Sequence, residues 1–410
     1  MVTVAETLTE TNGTIPAAVT PLISGPLEIF MVLVFIVCGL IWLSEKPPFS
    51  RIFKTLPLVI WVVLIPAMLT GFGIIPTGLD LYLDIGKIGL PLSLFYLIIS
   101  CDLKGISKLG KPAIIAALGG TLGIAIGGTL VVMIFATGDN AGLWQGFAVI
   151  SAGWIGGTAN GVAVQQGLQA PADIIAPLIL MQTLTGFIWL MLLLSFARHQ
   201  KWLTNILQSQ HKDTPHVAAS VTDDAKEKFS LKALTGLLAL GFLALIVSGA
   251  IGQALPEIGT PTIVSHATWV ILLISSLAIF VSSSRTIKVP TDQASNFGYL
   301  FLYMMLASLG TQLDFSAFDQ VGIYFLAGFM WLAVHIIVLL LVARLFRLPA
   351  AMVAIGSMAN IGGIVTTPLV ASYYDKKLVP LALLMAIGTQ IIGIYLPFLL
   401  ASLFAALALP

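Results

Sequence analysis

The sequence predicts an all-α, polytopic membrane protein assembled from two similar halves. Three observations carry that expectation. Apolar residues make up 58% of the 410-residue chain and charged residues only 9%. The mean hydropathy is +1.03, and a soluble domain would carry about 25% charged residues. The third observation is a glycine motif that returns about half a chain later. Ser151-Ala-Gly-Trp-Ile-Gly-Gly-Thr-Ala-Asn160 is matched by Ser357-Met-Ala-Asn-Ile-Gly-Gly-Ile-Val-Thr366.

The elements follow in order. Residues 1–27 are polar, carry Glu6 and Glu10, and contain neither Lys nor Arg. Secretory and transit peptides need positive charge there, so this stretch reads as an exposed N-terminal tail. Apolar runs long enough to cross a bilayer then lie at about 28–44, 55–76, 85–101, 112–136, 143–165 and 173–197. A second set lies at about 231–254, 264–283, 297–313, 319–346, 349–374 and 378–408. The domains are thus a first membrane repeat at 28–197, a polar linker at 198–230 and a second repeat at 231–408. His211 and His216 of the linker read as solvated side chains, not metal ligands. Cys38 and Cys101, both in apolar runs, read as small apolar side chains, without a disulfide framework or zinc spacing.

Lys and Arg in short loops set orientation. Lys46, Arg51 and Lys54, then Lys104, Lys108 and Lys111, mark cytoplasmic loops in the first half. The loops between them carry Asp80, Asp84 and Asp139, with Lys87 at a span's edge, so the N-terminus is expected outside. In the second half Arg285 and Lys288, then Arg344 and Arg347, mark inside loops. Glu257, Asp314 and Asp319 mark the others, with Lys376 and Lys377 as an exception. A basic loop in one half therefore matches an acidic loop in the other, and the repeats read as inverted. Six complete crossings per half would instead make them parallel. The charge pattern decides, and one segment is expected not to span, which gives about 11–13 transmembrane helices.

Each half ends on a long helix, a segment broken by glycines and another long helix. A break at lipid depth is tolerated only inside protein or along a cavity. A matched pair of breaks in two halves points to a transporter's binding site. Exposed half-helix ends offer N–H groups to an anion and carbonyls to Na⁺. The candidate binding residues are therefore Gly156, Gly157, Thr158 and Asn160 in one break. In the other they are Asn360, Gly362, Gly363, Thr366 and Thr367, with Pro368 removing a donor nearby. Close helix packing is the alternative reading of these glycines, and it is the preferred one for Gly119, Gly123 and Gly127.

Asp102, Asp314, His335, Gln182 and Gln390 are candidates for a supporting shell or gate. The two aspartates end the third helix of each half and suit capping. His335, the one ionisable group placed near mid-membrane, either carries a proton or bonds a neighbouring helix. Enzyme motifs are lacking: there is no Gly-x-Ser-x-Gly, no His-Glu-x-x-His and no phosphate loop with Lys.

At these motifs the chain resembles the YjcL-like family of uncharacterised multi-spanning membrane proteins. The resemblance rests on Gly156-Gly-Thr-Ala-Asn160-x-Val-Ala-Val164, Cys101-Asp102-Leu103, Val334-His335 and Ser357-Met-Ala-Asn360-Ile-Gly-Gly363, over about 28–408. That family looks related to secondary transporters with two crossed, broken helices, such as sodium/bile-acid, sodium/proton and sodium/glutamate carriers. The resemblance implies a panel domain (28–101 and 231–313) and a mobile core domain (112–197 and 319–408), the latter holding two discontinuous helices. Ile364 stands where the family often has Pro, and Gln182 where it has an acidic residue.

The expected function is a secondary active transporter moving a small anionic solute by alternating access. Na⁺ is the expected coupling ion, because neutral oxygens can hold it and no deep carboxylate is present to carry a proton. A cation/proton exchanger relying on His335 and a non-transporting membrane scaffold are the alternatives. The expected setting is the lipid bilayer of a bacterial inner membrane. The expectation includes a small-molecule partner, no resident cofactor or metal, no enzymatic activity and, at a net charge of +1, no nucleic acid. A homodimer is compatible with all of this.

Overall fold

The structure is a computed structural model that describes residues 21–47, 49–55, 58–101, 103–106, 109–209, 231–284, 289–312 and 321–409. Asp102, Asp314, the linker histidines His211 and His216 and most of the N-terminal tail lie outside the described residues.

Among the described residues the regular elements are all helical. The first half holds α1 (Pro26–Ser44), α2 (Ser50–Thr55), α3 (Leu58–Gly71), α4 (Asp80–Ile99), α5 (Leu103–Ile106) and α6 (Lys111–Phe135). It continues with α7 (Leu143–Gly156), α8 (Thr158–Leu168), α9 (Ala172–Phe196) and the short α10 (Gln200–Ile206). The second half holds α11 (Leu231–Ala254), α12 (His266–Ser283), α13 (Thr291–Gly310) and α14 (Val321–Leu345). It ends with α15 (Ala350–Ile361), α16 (Gly363–Tyr374) and α17 (Val379–Ala408). Proline stands in the first turn of α1, α6 and α17, where its missing N–H breaks no helical bond. Ser265 caps α12 by accepting from the Thr268 N–H.

Seven of these helices are long and apolar enough to cross a bilayer: α1, α4, α6, α11, α12, α14 and α17. Their outward faces expose large apolar side chains such as Phe35, Ile246, Phe280, Leu341 and Leu399. Water would not tolerate such a surface, whereas lipid requires it. The chain is an integral, multi-pass membrane protein.

Two bundles make up the interior. The opening helices of both halves share one buried cluster, which includes Leu33, Tyr82, Phe95, Tyr96, Ile274 and Met305. The closing helices share two others, around Trp154, Trp331 and Phe404 and around Ala116, Met352 and Leu381. Helices at matching places in the two halves pack against each other, and they run antiparallel. On α6, a Cβ added at Gly119, Gly123 or Gly127 would meet Val342, His335 and Trp331 of α14 in turn. The numbers rise on one helix while they fall on the other. The approach at Gly123 is to backbone, 2.9 Å from the His335 carbonyl. These three glycines therefore serve close packing. On α4, Gly89 faces Phe301 and Met305, and Leu97 faces Gly298 of α13, again in opposite directions.

The segments at 143–168 and 350–374 depart from a continuous rod. The sequence reads each as one interrupted span, but each pair of helices doubles back. Gln145, near the start of α7, donates to the Leu168 carbonyl at the end of α8, 3.1 Å away. Gly161 of α8 sits directly against Gly153 and Val149 of α7. The second pair behaves alike. Trp189 of α9 bonds Ser357 in mid-α15, while Leu193, one turn later, accepts from Tyr374 at the end of α16. The base of α15, with Ala351 and Met352, also shares its cluster with Leu378 and Leu381 at the start of α17.

Candidate functional site

The tips of the two helical hairpins are built from the repeated Gly-Gly pair. The second glycine of each pair turns the chain. Gly157 has φ 93° and ψ 177°, a region open essentially only to glycine. Gly363 has φ 60°, in the left-handed region. The first glycine of each pair makes room for a side chain four residues on. A Cβ at Gly156 would collide with the Asn160 amide, and one at Gly362 with the Thr366 hydroxyl. The sequence read these glycines as breaks; their distinct tasks come from the fold.

The two tips meet. A Cβ built on Gly363 would lie 4.0 Å from Gly157 Cα. They meet beside the middle of α17. Asn160 Nδ2 donates to the Gln390 carbonyl at 2.7 Å, and Gly393 lets Gly156 approach, its added Cβ falling 2.9 Å from Gly156 Cα. On the other side of the junction Thr389 Oγ1 donates to the Ala359 carbonyl at 2.6 Å. Gly156, Gly157, Asn160, Gly362, Gly363 and Thr366 are thus gathered at one junction. Thr158 opens α8 beside them and is half-buried.

The other candidates are placed differently. Asn360 is fully buried and turned toward α6. Its Nδ2 donates to the carbonyls of Ala117 and Gly356, both at 2.9 Å, and its Oδ1 accepts from Thr121 at 2.7 Å. That amide is completely engaged and pins α15 to α6. Thr367, also buried, bonds the Gly363 carbonyl one turn back. Gln182 lies over Gly153 of α7, whose added Cβ would meet both its amide atoms at 2.6 Å. Gln390 contributes its main-chain carbonyl to Asn160.

His335 is fully buried within a closed chain of hydrogen bonds. Its Nδ1 lies 3.0 Å from the Gly120 carbonyl and its Nε2 2.8 Å from Ser357 Oγ. A carbonyl can only accept, so Nδ1 carries the proton. Trp189 Nε1 donates to Ser357 Oγ at 2.8 Å, leaving the serine hydroxyl to donate to Nε2. Every group is satisfied with a neutral imidazole. Trp189 and Ser357 complete this chain; the sequence marked Ser357 only as the opening of the repeated motif and gave no sign of Trp189, since a lone tryptophan in an apolar run gives no signal of its partner.

Three of the nine buried side-chain polar atoms that lack a hydrogen-bond partner among the described residues belong to the first hairpin. Asn160 Oδ1, Gln165 Oε1 and Trp154 Nε1 are buried without a hydrogen-bond partner, as are Thr366 Oγ1 of the second hairpin and Thr185 Oγ1 of α9. Asn160 and Thr366 occupy the same position in the two motifs, three residues beyond the turning glycine. No Asp, Glu, Lys or Arg is buried among the residues whose burial is described. Groups of three or more His, Cys, Asp or Glu that could hold a metal are likewise absent among the described residues.

No curated protein matches the chain. A family model does match, over residues 32–407, nearly the whole stretch on which the sequence resemblance rests. The chain belongs to the family described as proteins of unknown function, DUF819.

Proposed function

We propose that this protein is a secondary active transporter that moves a small anionic solute by alternating access. The reading rests chiefly on one observation, the contact between the two glycine turns, 4.0 Å from the built Gly363 Cβ to Gly157 Cα. Two helix N-termini, those of α8 and α16, begin at that junction. Their first N–H groups have no partner within the helix and carry partial positive charge. Such ends suit a carboxylate or a similar small anion.

The topology we propose has ten crossings, by α1, α3, α4, α6, α9, α11, α12, α13, α14 and α17. The two hairpins enter from opposite faces and stop halfway. Each half then has five crossings and one re-entrant hairpin, and an odd number makes the halves inverted. The antiparallel pairing of α6 with α14 and of α4 with α13 supports this arrangement. It also accounts for Lys376 and Lys377, which fall at the cytoplasmic base of the second hairpin. The N-terminus lies outside. The cluster of opening helices acts as the panel, and the hairpins with α6, α9, α14 and α17 form the moving core. A bacterial inner membrane suits the orientation drawn from the basic loops.

A cation/proton exchanger is disfavoured by His335, whose two ring nitrogens are both committed to neutral partners. The chemistry asks for no enzymatic role.

Thr158→Cys tests the reading, in a chain with Cys38→Ser and Cys101→Ser. Alternating access predicts labelling by a membrane-impermeant thiol reagent from either face of oriented vesicles, with protection by a transported solute. Reaction from a single face under all conditions sinks the carrier. A thermal-shift screen of carboxylates, amino acids and peptides supplies the solute.

A further inference from the structure

We propose that two hydroxyls of α12 clamp the outer end of the first hairpin and make its docked position the resting state. This deepens the transporter reading and rests on it for the movement that the clamp restrains. Gly167, in the last turn of α8, accepts at its carbonyl from Ser265 Oγ at 2.7 Å and from Thr268 Oγ1 at 3.0 Å. Carbonyls in the last turn of a helix lack helical partners, so this one is free to take both bonds. Both hydroxyls are buried. Ser265 is itself held, because its Oγ accepts from the Thr268 N–H at 3.2 Å. The bare Gly167 admits them: an added Cβ would fall 2.8 Å from Thr268 Oγ1 and 2.7 Å from Phe398.

The clamp ends a face of α8 that lies wholly against the opening helices. Ala159, Val162 and Ala163 are buried in their cluster. Gln166 lies over Gly86 of α4, its amide nitrogen 2.6 Å from an added Cβ. The second hairpin is placed otherwise, with α16 packed on α7, α9, α15 and α17. Counted from the turning glycine, Leu369 and Tyr373 match Ala163 and Gly167. Ala163 is 1% exposed and Gly167 is buried, whereas Leu369 is 43% and Tyr373 60% exposed. A tyrosine side chain where Gly167 admits two hydroxyls also bars a second clamp of this kind.

One motif thus gives one docked hairpin and one whose matching face is bare. Two inverted repeats have a second arrangement of like kind, in which α16 is docked and α8 released. Bonds present on one side only bias the balance between the two. One net hydrogen bond shifts such a balance by about fivefold, and two by more than tenfold. Ser265 and Thr268 therefore act as positioning residues, and they set which arrangement the empty protein holds. On the topology proposed above, Gly167 and Ser265 lie at the outer face. The resting carrier is then closed outside and open to the cytoplasm.

The test is the rate of thiol labelling by an uncharged methanethiosulfonate, on the full-length protein in detergent with Cys38→Ser and Cys101→Ser. Ala163→Cys reports release from the opening helices. Val164→Cys, next to it but buried in the cluster of closing helices, reports unravelling of the hairpin itself. Thr268→Val keeps the side-chain shape and the Ser265 cap and removes one clamp bond. It should speed labelling of Ala163→Cys about fivefold and leave Val164→Cys unchanged. Adding Ser265→Ala should speed it further, and Thr268→Ser, which keeps the hydroxyl, should restore the slow rate. An unaltered rate at Ala163→Cys in Thr268→Val overturns the clamp. Equal acceleration at both positions overturns it too, because the hairpin is then merely loosened. Should Ala163→Cys fold poorly, Val162→Cys, buried in the same cluster, takes its place. Uptake plays no part in this readout. A protein that moves no solute but labels as expected loses the carrier reading and keeps the clamp.

Discussion

The two hairpins are made from one motif, yet they treat their polar atoms in opposite ways. In α15–α16, Asn360 makes three hydrogen bonds to α6 and its own helix, and Ser357 sits between Trp189 and His335. That hairpin is fastened to its surroundings, with Thr366 Oγ1 as its exception. In α7–α8, the residue matching Asn360 is Trp154, whose N–H finds no partner, and Asn160 keeps a bare oxygen. Buried polar groups are nearly always satisfied in folded proteins. On the function proposed above, the second hairpin anchors and the first, with three unpartnered polar atoms, would face the solute.

The strongest way to break this comparison is at the anchor. Gly356→Ala would set its Cβ 2.6 Å from the Ala116 main-chain carbon. Backbone cannot step aside, so a loss of about 3 kcal/mol is expected, read as a lower unfolding temperature. Next comes the asparagine pair. Asn360→Ala leaves Thr121 and two carbonyls without their partner and should cost on the order of 2–3 kcal/mol. Asn160→Ala removes one hydrogen bond and one unsatisfied oxygen and should cost about 1 kcal/mol or less in Na⁺-free buffer. Equal costs in denaturant titrations would dissolve the distinction between anchor and site.

Gly157→Ala isolates the turn itself. Nothing lies within 4 Å of its added Cβ, so the penalty is conformational alone. About 1–3 kcal/mol is expected, with transport falling further than stability if the tip geometry sets binding. His335→Gln is the mildest. It interrupts the chain between Gly120 and Ser357 and should cost roughly 1–2 kcal/mol. Because every bond there is made with a neutral ring, the pH profile of uptake should not change. A profile that flattens in this variant would revive the proton-exchange reading.

Much of this was legible in the chain. The helical class, the membrane setting and the two glycine pairs needed only composition and a repeated string. The sequence also held an unread clue to the reversal. Gly153 and Gly161 bracket the first break, and they are the small residues that let α7 and α8 lie side by side. On the topology proposed here, Lys376 and Lys377 were the same clue in charge: two lysines out of step with the loops, because the segment before them returns to its own side. What could not be read was the direction of each amide. Asn160 and Asn360 look alike as letters; one faces a helix that takes up all its hydrogen bonds, and the other faces a turn that does not.

Local chemistry in the sequence set where the helices are interrupted, because a backbone angle such as that of Gly157 is open only to a residue without Cβ. Whether the interruption bends, kinks or reverses the chain was decided by tertiary contacts, the fit of α8 onto α7 and of both onto Gly393 of α17. The same contacts decided which of the two asparagines would keep an oxygen bare, since hydrogen-bond satisfaction belongs to the neighbours a fold supplies and not to the residue alone.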